Sequence, residues 1–394
     1  MRGVNVSLAI GVSAIIYGLL TLGPDASLIN ALNALTDLRT INLLATLTLA
    51  LFLAHTMWEV GILSRATKAI TSLSTLLGAI TIPMLVGLIP MPGGAVVSAM
   101  MAQELYFRRM GLGADEASYI NYWFRHVWVT VWPLYQTVIL SSSILSVSIK
   151  DLISSTWVVA LPYFISGLIV TSYILKKFNY FSTKSSVSES FGNLKGLEVI
   201  KELLLGIWPF IIIATLALGT SLDIKLVILL TLIPIIIIYR PNKGTYVNSL
   251  KFALSPKIIA LIITVMLFRQ YIISSDLSHE LIKDLTSLGI SPAVVAPLLT
   301  FLLGLVGGGE FVFVAVGFPA LIPLILNAGV LNKYMLSLAM LGGFLGAILA
   351  PSHLCIVLTT ERYGTRVNRV YRYTLPSSIL TLLISLILIN LLKI

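Results

Sequence analysis

The chain has 394 residues, 57% of them hydrophobic and only 11% charged, with a mean hydropathy of +0.99. Soluble domains carry roughly 25% charged residues, so a water-soluble fold is excluded: its surface would have to be as apolar as its core. The net charge of +10 does not mark a nucleic-acid binder, because the basic residues lie in short segments between apolar runs, where they act as an orientation signal.

A helix needs ~20 apolar residues to cross ~30 Å of hydrocarbon. In chain order, spans are expected at 4–22 and 40–58. The first follows a lone Arg2 and lacks an A-x-A cleavage site, so it reads as a retained helix. The stretch 72–103 is too long for one crossing and is interrupted by Pro and Gly. Spans follow at 119–146 and 157–175. The polar stretch 176–201, with Ser182, Lys184, Ser185, Ser186, Ser188 and Ser190, reads as a cytoplasmic linker. Further spans are expected at 202–219, 223–239 and 258–273. A second interrupted stretch covers 292–326, and spans at 334–360 and 373–392 close the chain.

The positive-inside rule favours reading both interrupted stretches as re-entrant hairpins. With a cytoplasmic N-terminus and an outer C-terminus, eighteen of the 26 basic residues fall in cytoplasmic segments. Seven (Arg39, Lys150, Lys225, Arg269, Lys283, Lys333 and Lys393) fall outside, and Arg125 lies within a span. The expected architecture is all-α and polytopic, with about nine transmembrane helices and two hairpins. Repeat 1 covers 1–175, a linker and connecting helix cover 176–222, and repeat 2 covers 223–394. Each repeat reads span, span, hairpin, span, span, and the odd helix between them inverts the second.

The chemistry concentrates at the interruptions. The first hairpin turns through Gly87-Leu88-Ile89-Pro90-Met91-Pro92-Gly93-Gly94, which cannot continue a helix. A half-helix starting near Gly94, with Ser98 in its first turns, would offer unpaired N–H groups to an anion. The second hairpin turns through Gly304-Leu305-Val306-Gly307-Gly308-Gly309-Glu310, whose glycines permit close backbone approach. Each hairpin precedes a proline break: Pro133 follows Gly94 by 39 residues and Pro351 follows Gly309 by 42. The second break, Pro351-Ser352-His353, could free carbonyls for a cation.

Asn121 and Arg125 share a helix face, and His126 follows. Arg125 either snorkels to the headgroups or is a counter-charge for an anionic substrate or for Glu310. Glu310 could carry a proton, bind Na⁺, pair with Arg125, or sit at a wet tip without a role. Cys355 reads as a small buried residue. One thiol gives no disulfide or cysteine-based metal site, and the four histidines lack HExxH spacing, so no metal centre is expected beyond a Na⁺ near the hairpin tips.

The segments Gly87–Gly94, Asn121-Tyr122-Trp123-Phe124-Arg125-His126 and Pro351-Ser352-His353-Leu354-Cys355 resemble the family called "domain of unknown function 401". That family is placed in the ion transporter superfamily with gluconate permeases and divalent-anion:sodium symporters. The resemblance implies inverted repeats, a homodimerising scaffold and a transport part that moves as an elevator. It also implies organic anions driven by Na⁺ or H⁺, bound at Pro92-Gly93-Gly94, Gly307-Gly308-Gly309 and Pro351-Ser352-His353. Neither tip carries the Ser-Asn-Thr triplet of the dicarboxylate branch.

The function expected is therefore an ion-coupled secondary transporter of a small organic anion, with no cofactor, no nucleic-acid partner and no enzymatic activity. An ion channel is the alternative. An intramembrane enzyme is less favoured, since Ser352-His353 with Glu310 is its one constellation and adjacent Ser and His rarely meet as nucleophile and base.

Overall fold

The computed structural model describes residues 6–89, 91, 93–178, 194–327 and 329–392. Helix boundaries are written locally. Pro24, Pro256 and Pro292 open helices where a missing N–H costs nothing. Side chains of Ser74, Ser148, Asp223, Asn242, Ser291 and Asn332 cap others by accepting from backbone N–H groups.

In chain order the helices are Val6–Leu22, Pro24–Thr36, Leu38–Glu59 and Ile62–Leu73. A pair follows, Thr75–Gly87 and Gly94–Glu104, the second running into a π turn at Leu105–Arg109. Ala114–Arg125 and Gln136–Leu145 are two halves of a broken helix, and Ile149–Lys177 is continuous. Leu197–Gly219 comes next, then Ile224–Tyr239, Lys243–Ala253, Pro256–Ser275 and Leu277–Ser287. The second pair is Pro292–Gly307 and Glu310–Ile325, with a π turn at Phe313–Gly317. A two-residue strand pair leads to Lys333–Leu349 and Leu354–Tyr363, again two halves of a broken helix, and to Val367–Leu392.

Among the described residues, six helices are long and apolar enough to cross a membrane, with Lys243–Ser275 and Lys333–Tyr363 each taken as one. The spans expected at 4–22 and 223–239 correspond to slightly shorter apolar helices, Ser7–Leu22 and Ile224–Tyr239. Both interrupted stretches are helix–turn–helix units. Most of the linker expected at 176–201, including Ser182 to Ser190, lies outside the described residues.

Three segments expected as connections are helical. Ile62–Leu73 buries Ile62, Leu63, Ala66 and Ala69 and leaves Lys68 exposed, so it is amphipathic. Leu277–Ser287 holds the matching place before the second pair. Half-polar helices of this length fall below any spanning threshold, which is why hydropathy passes over them. Leu197–Gly219 packs closely on the first: a Cβ on Gly206 would lie 2.4 Å from the Ala66 nitrogen. Arg65 Nη1 donates to both oxygens of Glu202 at 2.8 and 3.1 Å across that contact. Lys243–Ala253, the third, meets Leu38–Glu59 through Ser249, whose hydroxyl contacts His55 and Thr56.

Arg269 also departs from expectation. It is buried in Pro256–Ser275 rather than in an outer segment, and its Nε donates to the Ile144 carbonyl at 2.8 Å. A cation there complements the C-terminal end of Gln136–Leu145.

Two packing arrangements hold the centre. Trp123 stacks on Tyr163 with centroids 4.0 Å apart, and each donates to the other's carbonyl. Pro292–Gly307 lies backbone to backbone on Lys333–Leu349. A Cβ on Gly342 would sit 2.0 Å from the Pro297 carbonyl oxygen, and one on Gly346 would sit 2.1 Å from that of Phe301. Without water to drive association, small residues that let backbones approach are what lipid-immersed helices use.

Candidate binding site

Both hairpin tips close through a glycine in the left-handed region, Gly93 at φ 76° and Gly308 at φ 64°, where a side chain would be strained. Pro92, like Pro90, lies outside the described residues. The tips reach the two breaks. A Cβ on Gly87 would be 2.2 Å from the Arg125 carbonyl oxygen, and one on Gly94 would be 2.4 Å from Arg125 Nη2. A Cβ on Gly308 would be 2.5 Å from Ser352 Oγ. Hairpin one therefore abuts the first break and hairpin two the second.

Side chains satisfy the carbonyls that the breaks release. His126 Nδ1 lies 2.6 Å from its own helix's Tyr122 carbonyl, and Tyr163 Oη donates to that of Trp123. At the second break, His353 Nδ1 lies 3.0 Å from the Ala347 carbonyl, while Tyr122 and Tyr371 donate to those of Ile348 and Leu349, each at 2.8 Å. These carbonyls, expected as cation ligands, already accept hydrogen bonds.

With Nδ1 of each histidine engaged, Nε2 of each faces the same carboxylate. Glu310 Oε1 lies 3.1 Å from His126 Nε2 and 3.5 Å from His353 Nε2. Neither His126 Nε2 nor Glu310 Oε1 makes a directed hydrogen bond within the described residues. The imidazoles meet edge to face, with centroids 5.0 Å apart, and the Tyr122 ring packs on both. His126 is fully buried and the Glu310 side chain is 14% exposed.

Arg125 does not snorkel. It is 5% exposed, and no carboxylate among the described residues lies within ion-pair distance of it. Nor does it pair with Glu310, whose contacts are the histidines. Its Nη1 donates to Cys355 Sγ at 3.3 Å, and its Nε has no partner among the described residues. The guanidinium thus stands at the positive N-terminal end of Gly94–Glu104, so two positive features converge in a buried place. That arrangement is costly unless an anion joins it.

The remaining candidates divide. Asn121 Nδ2 bridges the Ala95 carbonyl at 3.3 Å and Thr359 Oγ1 at 3.2 Å, tying hairpin one to Leu354–Tyr363, while its Oδ1 is unpartnered. Ser98 is buried and bonds back to Ala95 within its own half-helix at 3.2 Å. Gly307 is held against Val312 and Gly309 against Phe311. Pro351 and Ser352 are exposed beside the Gly308 tip. Cys355, expected as a small buried residue, is half-buried and belongs to the cluster: its Sγ and a ring nitrogen of His126 and of His353 all lie within 4.8 Å of one another. No sequence signal separates this thiol from a packing residue, since its partners come from distant segments.

Apolar helices of spanning length around a buried polar cluster define a polytopic helical membrane protein. The structure is similar to that of the Alcanivorax borkumensis YdaH transporter, with a TM-score of 0.63, 14% sequence identity and 96% of each chain covered. The chain belongs to the family described as "Protein of unknown function (DUF401)", which matches residues 1–392. No curated protein matches it in sequence.

Proposed function

We propose that this protein is an ion-coupled secondary transporter of a small organic anion, working by elevator-type alternating access. The observation that carries the reading is Arg125: a buried guanidinium without a carboxylate partner, set at the N-terminal end of a half-helix whose tip glycines leave room for it. Half-helix ends aimed at anionic groups recur in secondary transporters. Glu310, between two imidazoles, is the place for the coupling Na⁺ or H⁺. The two helix pairs are re-entrant hairpins, and 1–175 and 223–394 are inverted repeats joined through 176–222. The order short helix, helix, short helix, pair, broken helix, long helix occurs in both halves and supports this division. The N-terminus is cytoplasmic and the C-terminus outside, the scaffold forms a homodimer, and the protein falls in the ion transporter superfamily. The transporter fold of the YdaH neighbour agrees with transport over catalysis.

The test is uptake into proteoliposomes of a panel of radiolabelled organic anions, with imposed Na⁺ or pH gradients in either direction. Saturable accumulation of one anion that collapses with the gradient is expected. Flux of inorganic ions without saturation would instead establish a channel.

A further inference from the structure

The donor atoms around Glu310 are arranged as a ligand set. A carbonyl oxygen can only accept, so the Nδ1 atoms of His126 and His353, lying 2.6 and 3.0 Å from the Tyr122 and Ala347 carbonyls, must carry protons. In the neutral imidazoles both Nε2 atoms then present lone pairs. Both face Glu310 Oε1, at 3.1 and 3.5 Å. Lone pairs turned on a carboxylate oxygen repel unless an electropositive species sits among them.

We infer that His126 Nε2, His353 Nε2, Cys355 Sγ and Glu310 form a site for a borderline-soft divalent metal ion of the Zn²⁺ and Co²⁺ type. The spacing fits. Bonds of about 2.0–2.1 Å in a tetrahedral shell put light donor atoms roughly 3.3 Å apart, close to the 3.1 and 3.5 Å observed. The thiol joins the two histidines, its Sγ lying within 4.8 Å of a ring nitrogen of each. Two imidazoles, a thiolate and a carboxylate bind Zn²⁺ or Co²⁺ more tightly than the hard cations Na⁺, Mg²⁺ and Ca²⁺, so such an ion would displace the coupling Na⁺ or H⁺ that the proposed function places at Glu310. The surroundings match a metal site as well. Each histidine is oriented by an Nδ1–H to a backbone carbonyl, which fixes the ligating tautomer. Arg125 Nη1 donates to Sγ at 3.3 Å, and the thiol's proton leaves to solvent when the metal binds. His126 is fully buried with an unpartnered Nε2 aimed into the cluster.

The ligands come from three separate pieces of chain: the first break, the second hairpin tip and the second break. A bound ion would fasten hairpin two to both broken helices. Micromolar Zn²⁺ should therefore raise the melting temperature and arrest any motion that separates these parts.

The experiment is Co²⁺ titration of the purified, tag-free protein in detergent, without any transport substrate. The expected spectrum has the intense visible d–d bands of a tetrahedral site and a near-ultraviolet thiolate-to-cobalt charge-transfer band, both displaced by Zn²⁺. Cys355→Ser should lose the charge-transfer band while keeping the wild-type melting temperature without metal. Glu310→Gln and His353→Gln should each weaken affinity by about tenfold or more. His279→Gln, far along the chain and exposed, should change nothing. A weak octahedral spectrum, or a charge-transfer band that survives in Cys355→Ser, would overturn the assignment. Because no transport is measured, that failure would leave the anion-transporter reading standing, and loss of transport activity alone would not touch the metal site.

Discussion

The two hairpin tips and the breaks they meet are built from the same parts but lie in opposite surroundings. At the first, Leu88 and Ile89 are buried, and the irregular segment from His126 to Tyr135 is almost wholly enclosed. Trp128 Nε1 donates to the Met84 carbonyl at 3.0 Å, fixing that segment to the hairpin. Beyond it lies an apolar cavity of 510 Å³ walled by Trp128, Trp132, Pro133, Leu85 and Phe210. At the second, Val306 is 82% exposed, and Pro351, Ser352 and Leu354 are exposed too. The polar cluster between the tips is thus sealed by aromatic packing on one side and bordered by open chain on the other. This asymmetry arises because aromatic residues fill the longer break while the shorter one has a serine and a proline.

The comparison can be broken most severely at the glycines. Gly87→Ala and Gly304→Ala both place a methyl within 2.2–2.4 Å of a carbonyl oxygen on the neighbouring helix. Each should cost about 3 kcal/mol, the upper end for overpacking, because backbone cannot move aside as a side chain can. A melting temperature within a few degrees of wild type for either would show that the contact is looser than drawn.

Glu310→Gln removes the charge that both imidazoles face and should cut gradient-driven uptake by about a hundredfold, equivalent to ~2.7 kcal/mol. Uptake that stays driven by the same gradient would take Glu310 out of coupling. Arg125→Ala should raise the apparent KM for the anion by about tenfold or more while leaving the protein folded; an unchanged KM would remove the guanidinium from substrate binding. In a Cys355→Ser background, Ser352→Cys should react with a membrane-impermeant thiol reagent about tenfold faster than Thr130→Cys, since Thr130 is 1% exposed. Equal rates would erase the asymmetry between the breaks. The smallest effect is expected at the periphery. Arg65→Ala loses a partly exposed pair with Glu202, worth less than about 1 kcal/mol, and a large drop in melting temperature would mean that Ile62–Leu73 depends on that pair to dock.

Much of the helical framework was legible because lipid imposes a strong rule. Backbone polar groups must be paired within the helix and apolar length must match the bilayer, so composition alone marks Leu38–Glu59, Ile149–Lys177, Leu197–Gly219 and Val367–Leu392. The breakers Gly93, Gly94, Pro133, Gly308 and Pro351 likewise announce their turns, since proline and glycine act on backbone that is local in sequence. The amphipathic helix Ile62–Leu73 was not legible to hydropathy, because its stability comes from docking one face and not from its own composition. The partners of the charged groups were decided only by the tertiary structure. Nothing local sends Glu310 to two histidines, one of them 184 residues earlier in the chain, leaves Arg125 without a carboxylate, or draws Cys355 into the cluster. Side-chain electrostatics acts through space at a few ångströms, and which groups come that close depends on how the two hairpins and the two broken helices cross.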